Sequence, residues 1–204
     1  MLNSSIIESD LNGFSITFPG IRISKGELLL LKGHSGSGKS TFLHSIAGLV
    51  PLLKGHIKIE GHGEISKNIV PKDWRKNALT ILPQRPLFWQ SLTVIENIKL
   101  GEWSKGIKSE NSEYILEKLG IVDLSKKAVN KLSLGQQQRL SAARALISQA
   151  PVLLADEPTA ALDEENTNIL MDLFKEHQSE TGCSILVSSH DNRLDSIADQ
   201  IVIL

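Results

Sequence analysis

At 204 residues, 41% hydrophobic and 22% charged, the chain has room for one sizeable core and an ordinary globular composition. Its 22 basic and 23 acidic residues leave a net charge of -1, which speaks against a nucleic-acid-binding surface. The longest apolar stretch, 46–53, is interrupted by Gly48 and Pro51, far short of the ~20 residues a membrane-spanning helix needs.

The start, MLNSSIIESD, has neither the basic nor the apolar part of a secretory signal, so a soluble, cytoplasmic chain is expected. Phe14, Ile16 and Phe18, then Pro19-Gly20, then Ile21 and Ile23 predict short antiparallel strands. Residues 27–31 (ELLLL) predict a buried strand closed by Gly33. From Lys39 onward, Phe42, Leu43, Ile46 and Leu49 recur at helical spacing. Ile57 and Ile59 begin another strand, and LTIL at 79–82 a further one. Between 85 and 150 the periodicity turns helical. Ile115, Leu116 and Leu119 form one stripe with Ser112 as N-cap, and Leu140, Ala143 and Ile147 form another.

Strand character returns at 152–155. A helix follows, with Ile169, Leu170, Leu173 and Phe174 inward and Asp163, Glu164 and Glu165 in its first turn. The last strands lie at 185–188 and 201–204. Cys183, the only cysteine, forms no disulfide framework and is expected as a small buried strand residue. Strands alternating with helices imply a layered α/β core with right-handed crossovers, into which the helical middle is inserted as a subdomain. There is no internal repeat and no low-complexity segment.

Gly33-His34-Ser35-Gly36-Ser37-Gly38-Lys39-Ser40 fits the phosphate-loop pattern G-x-x-x-x-G-K-[ST] between a strand and a helix, with Thr41 following. Its glycines let backbone N–H groups turn inward around a β-phosphate, and the helix N-terminus adds positive potential. Lys39 would reach the β- and γ-phosphates, and the Ser40 hydroxyl would ligate magnesium. The apolar strand at 152–155 ends in adjacent carboxylates. Asp156 would hold Mg2+ through water and Glu157 would orient or deprotonate the attacking water. A solvated acidic turn is the bland alternative for that pair taken alone.

With these residues in place, the chain resembles the nucleotide-binding subunit of an ATP-binding cassette (ABC) transporter along nearly its whole length. Leu132-Ser133-Leu134-Gly135-Gln136 is similar to the family signature LSGGQ. Gln84 in Leu82-Pro83-Gln84 matches the coupling glutamine, Ala161-Leu162-Asp163 the loop that crosses to a partner subunit, and His190 in Ser188-Ser189-His190-Asp191 the switch histidine.

The resemblance implies a P-loop NTPase (RecA-like) core from 1–84 and 151–204 with an N-terminal antiparallel β subdomain, and a helical subdomain at 85–150 carrying the signature. It further implies ATP and Mg2+ as cofactors, with Gln84 near the metal. A second cassette would present Ser133, Gly135, Gln136 and Asp163 to the bound nucleotide. A transmembrane permease would hold the pair peripherally on the cytoplasmic face of the inner membrane. Near Arg85 that permease would insert a helix, for which Phe88 and Trp89 offer a groove or, equally, plain core residues. Cassettes of lipoprotein-release and macrolide-export systems carry similar runs.

Three features depart from the family pattern. Leu134 stands where the signature has glycine, adding a Cβ that restricts the turn. The aromatic residue that stacks on adenine has Phe14 and Phe18 as candidates, Phe14 preferred. The sequence ends at Leu204, where relatives often continue. A soluble ABC ATPase outside transport and a nucleotide-binding regulator without turnover are the rival readings. The absence of long coiled-coil or basic surfaces weighs against the first, and Lys39, Glu157 and His190 weigh against the second.

Overall fold

The computed structural model describes residues 1–67, 69–108 and 111–204. Five parallel strands form the central sheet: β5 (Leu28–Lys32), β9 (Leu79–Leu82), β10 (Val152–Asp156), β11 (Ser184–Ser188) and β12 (Gln200–Ile203), in the order β12-β5-β11-β10-β9. The near-continuous apolar runs of β5, β10 and β11 reflect burial on both faces, while the edge strand β12 leaves Ile201 and Ile203 exposed. Along β5, Leu28 and Leu30 enter one apolar cluster while Leu29 and Leu31 enter the other. β10 divides the same way, Leu153 and Ala155 against Val152 and Leu154. Period-two geometry thus serves two cores from one strand.

Helix α1 (Lys39–Ile46) contributes Phe42, Leu43 and Ile46 to the second cluster. The first cluster is covered by α2 (Val94–Lys105), α3 (Ser112–Lys118), α4 (Leu134–Ile147) and α5 (Glu164–Thr181). The helices of the middle stretch bury their stripes in the same cluster that holds Leu28, Leu82 and Ile185 of the sheet. This continuity ties their orientation to the strands.

Two antiparallel sheets flank the phosphate-loop side. One has the order β3-β2-β6, from β2 (Ile7–Leu11), β3 (Phe14–Phe18) and β6 (Leu52–Lys54). The other has the order β4-β1-β7-β8, from β1 (Leu2–Ser4), β4 (Arg22–Ile23), β7 (His56–Ile59) and β8 (Gly63–Ser66). The sequence pattern marks β3, β4 and β7 but not β2. In β2 the buried inward position between Ile7 and Leu11 is Ser9, whose hydroxyl pairs with that of Ser45 at 2.8 Å. A satisfied polar group in a core slot breaks the apolar alternation without breaking the strand.

Two local expectations are corrected. Leu49 is not part of the α1 stripe: the helix ends at Ile46, Gly48 turns at φ +67°, and Leu49 is 53% exposed. Ser112 is the first residue of α3 with Asn111 at the cap, and its hydroxyl donates to Glu102. Cys183 is buried immediately before β11, and burial pushes its thiol up to about 12.

Candidate active site

The strand order β5-β11-β10-β9 brings four strand C-termini side by side, the edge at which open parallel sheets bind ligands. The first carries the phosphate loop. Gly38 caps α1 at φ +95°, where any Cβ would also press to 3.1 Å on the Phe18 ring, so glycine is demanded twice. The Lys39 ammonium donates to the loop's own carbonyls, to Gly33 O at 2.7 Å and His34 O at 3.3 Å. Incoming phosphate oxygens would exchange with these acceptors.

The neighbouring strands supply the acid pair and its supports. Asp156 ends β10, buried, and accepts a hydrogen bond from the Ser188 hydroxyl at the end of β11. Glu157 follows in the left-handed region at φ +47°, a conformation costing a non-glycine residue roughly 1–3 kcal/mol. It is held there by its own N–H, which donates to Ser188 O at 2.9 Å.

The Glu157 carboxylate is buried among three partners. Lys39 Nζ lies 3.7 Å away, Ser189 Oγ donates at 3.3 Å, and His190 Nδ1 sits 3.0 Å from Oε2. The imidazole is otherwise 72% exposed and open to a ligand. A cavity of about 640 Å³ joins His34, Ser35, Gly36, Gly38, Lys39, Ser40, Thr41, Gln84, Glu157 and His190. Its remaining wall is Leu11 and Ile16 of the β2–β3 hairpin.

The other family-matched residues gather elsewhere. Ser133 caps α4 in a reciprocal box: its hydroxyl accepts the Gln136 N–H at 3.3 Å, and Gln136 Oε1 accepts the Ser133 N–H at 3.0 Å. Leu134 is a helical residue, 63% exposed, so its Cβ puts no strain on the turn, contrary to the sequence expectation. A Cβ at Gly135 would come within 3.3 Å of Ala161 O, so the loop ahead of α5 lies directly over this first turn.

Asp163 caps α5 and accepts from the Asn166 backbone and side-chain N–H groups, which hold its carboxyl below the usual range. Ser133, Gly135, Gln136 and Asp163 do not line the phosphate cavity, and neither does Phe14, which is 76% exposed on β3. Phe88 packs against the apolar cluster, while Trp89 is 67% exposed; both line a second surface cavity with Leu87, Leu100, Gly101 and Arg144.

Sequence reasoning missed Ser188 and Ser189 as supports of the acid pair. It also missed Leu11 and Ile16. The SSHD run carried the signal for the serines, since hydroxyls at a strand C-terminus beside two carboxylates have a natural acceptor. Nothing in the local pattern singled out Leu11 and Ile16.

A glycine-rich strand-to-helix loop beside a parallel strand ending in two acids defines a P-loop nucleotide hydrolase. The chain matches the ABC transporter family over residues 19–160, and it belongs to that family. It is thus an ATP-binding and ATP-hydrolysing subunit of transporter type. It is 37% identical over 184 residues to the ABC transporter ATP-binding protein YtrE of Bacillus subtilis, covering 87% of this chain and 79% of that one. To the lipoprotein-releasing system ATP-binding protein LolD of Leptospira interrogans it is 35% identical over 199 residues, covering 93% and 84%. Among solved structures it is similar to the dimeric, post-hydrolysis ATP-binding cassette MJ0796 bound to ADP and Pi. There the TM-score is 0.83 and identity 29%, over 100% of this chain and 94% of that chain.

Proposed function

We propose that the chain hydrolyses ATP as one half of a head-to-tail pair of cassettes, docked through a transmembrane permease on the cytoplasmic face of the inner membrane. The observation that carries this reading is a separation. Lys39, Glu157 and His190 share one cavity, while the capped α4 terminus at Ser133 and Gly135 stays outside it. A helix N-terminus donates to anions, and this one is free to serve a nucleotide held by another chain. Among the described residues no helix is long and apolar enough to cross a membrane, so attachment would go through another subunit.

In this reading the Glu157 carboxylate takes a proton from a water as its oxygen attacks the γ-phosphorus. The bond from that phosphorus to the bridging oxygen breaks, leaving ADP and inorganic phosphate. Lys39 leaves its loop carbonyls to neutralise the phosphates, and His190 bridges Glu157 and the γ-phosphate. Ser40, Gln84 and Asp156 offer hydroxyl, amide and carboxylate oxygens, a hard donor set that suits Mg2+. When bound there, the ion would neutralise charge on the β- and γ-phosphates.

A mixing experiment tests the pairing. Lys39→Ala destroys the phosphate loop of its own chain, and Ser133→Arg blocks the α4 terminus. Each variant alone should be inactive. Mixed one to one, half the pairs would be heterodimers holding one intact composite site each. Phosphate release should then return to about a quarter of the unmodified rate, if sites act independently. No recovery, from variants shown to mix, would refute the composite site.

A further inference from the structure

The register of the central sheet sets Ser188 directly opposite Asp156, the last pair of the β10–β11 ladder. Side chains alternate between the two faces of a strand. Leu154 and Leu186 enter the apolar cluster that holds α1, so Asp156 and Ser188, two residues on, fall on that same face. The two side chains meet on the side of the sheet covered by α1, the helix whose first turn carries Ser40.

Ser188 stands where the apolar row of β11 would otherwise continue, and it is fully buried. A hydroxyl in such a place needs partners, and this one has two. It donates to Asp156 Oδ1, because a carboxylate can only accept. Its own oxygen accepts the Glu157 backbone N–H at 3.3 Å. That N–H also donates to Ser188 O at 2.9 Å, so Glu157 does not depend on the hydroxyl. Asp156 does depend on it. Among the described residues, Ser188 is the only hydrogen-bond partner of the Asp156 carboxylate.

Asp156 is buried behind the cavity lining rather than in it. From there it would act on a metal through water, so the direction of its oxygens matters. The last torsion of a carboxylate is a broad two-fold rotor. With Oδ1 taken by Ser188, that rotor is held and Oδ2 is the oxygen left for a metal-bound water. The next hydroxyl has a different task. Ser189 Oγ donates to Glu157 and accepts the Asp191 N–H at 3.1 Å. Consecutive hydroxyls thus serve consecutive acids.

From this we infer that Ser188 is a positioning residue for the metal: by holding Asp156 it sets how tightly the nucleotide site takes Mg2+, independently of the base Glu157. This rests on the set of Ser40, Gln84 and Asp156 proposed above and deepens it. Groups that orient a metal's ligands typically govern about 10–100-fold in metal affinity.

Equilibrium binding of the thiophosphate analogue ATPγS to the purified protein, once with Mg2+ and once with EDTA, tests this without turnover. By linkage, the dissociation constant in EDTA divided by that in Mg2+ equals the ratio of Mg2+ affinities on bound and free nucleotide. Ser188→Ala should lower this ratio about tenfold and leave the EDTA constant within about twofold. Ser188→Thr, which keeps the hydroxyl, should restore most of the ratio, and Ser189→Ala should leave it in place. An unchanged ratio in Ser188→Ala would overturn the inference, as would a Thr variant that loses as much as the Ala variant. A parallel rise of both constants would make Ser188 a general structural residue, and an equal loss in Ser189→Ala would remove the division between the two acids. Either result also overturns the inference. Each of these failures presupposes a gain from Mg2+ in the unmodified protein. A ratio of one there would instead remove the magnesium set itself, and this inference with it.

Discussion

The phosphate-loop end of the sheet and the first turn of α4 both present a helix N-terminus, but they are finished to different degrees. Around Glu157 the chain has assembled a buried carboxylate, a cation, an imidazole and a hydroxyl, drawn from beyond the ends of three neighbouring strands, β10, β5 and β11. Around Ser133 it has assembled only what a helix needs for its own stability: a capping box, an exposed Leu134, and a loop lying over Gly135. Convergence costs strain, visible in the positive φ of Glu157. The α4 terminus carries no such strain among its described residues and is complete as structure but not as a site. In the proposed head-to-tail pairing, a site built from one of each kind acts only when two chains meet.

The largest effect should follow from breaking the convergent end. Glu157→Gln removes the proton acceptor while keeping the side chain's shape, and kcat is expected to fall by 10²–10⁴-fold, the usual contribution of a general base. ATP should still bind, and the ATP-loaded variant should accumulate as a dimer in size-exclusion chromatography. Turnover within threefold of the unmodified protein would remove Glu157 from the chemistry. Next in size is the surface beyond this cavity. Trp89→Ala should leave the isolated ATPase rate unchanged but abolish its stimulation by the cognate permease. Intact stimulation would return Trp89 to ordinary surface.

These two regions were also unequally legible. The phosphate loop, the acid pair and His190 lie at strand ends whose continuous apolar runs mark a buried parallel sheet, so position and chemistry could be read together. The supports could not. Ser189 becomes a donor to Glu157 only because β11 is the neighbour of β10, a pairing fixed by tertiary packing and invisible to periodicity. Leu11 was lost because Ser9 interrupts the apolar alternation of β2, which hid the strand and with it the hairpin wall. Leu134 was misjudged for a related reason. A missing glycine reads as strain only if the backbone needs the left-handed region, and a helical first turn does not.

The helix-terminal region can be sharpened by two smaller changes. Because Leu134 is helical and exposed, Leu134→Gly should cost stability, up to about 1 kcal/mol by glycine's helix penalty, and leave ATPase activity within about twofold. A several-fold rise in activity would show that the leucine obstructs the γ-phosphate, making the α4 terminus a compromised site rather than an open one.

The smallest effect concerns Asp163. Hydrogen bonds from Asn166 lower its folded-state pKa, so its contribution to stability is present above the unfolded value near 3.9 and is lost as pH falls below that, through the folded value. Asn is an equally good helix cap. Asp163→Asn should therefore match the unmodified protein's urea midpoint at pH 7 and lose less of it than that protein does between pH 4 and pH 3. If the two midpoints instead fell in parallel on acidification, the carboxylate would not be what holds the cap. If they separated at pH 7, the negative charge at the start of α5 would matter to the helix beyond its hydrogen bonds. The second result would make the start of α5 an electrostatic element in its own right, and so narrow the contrast with the convergent end of the sheet.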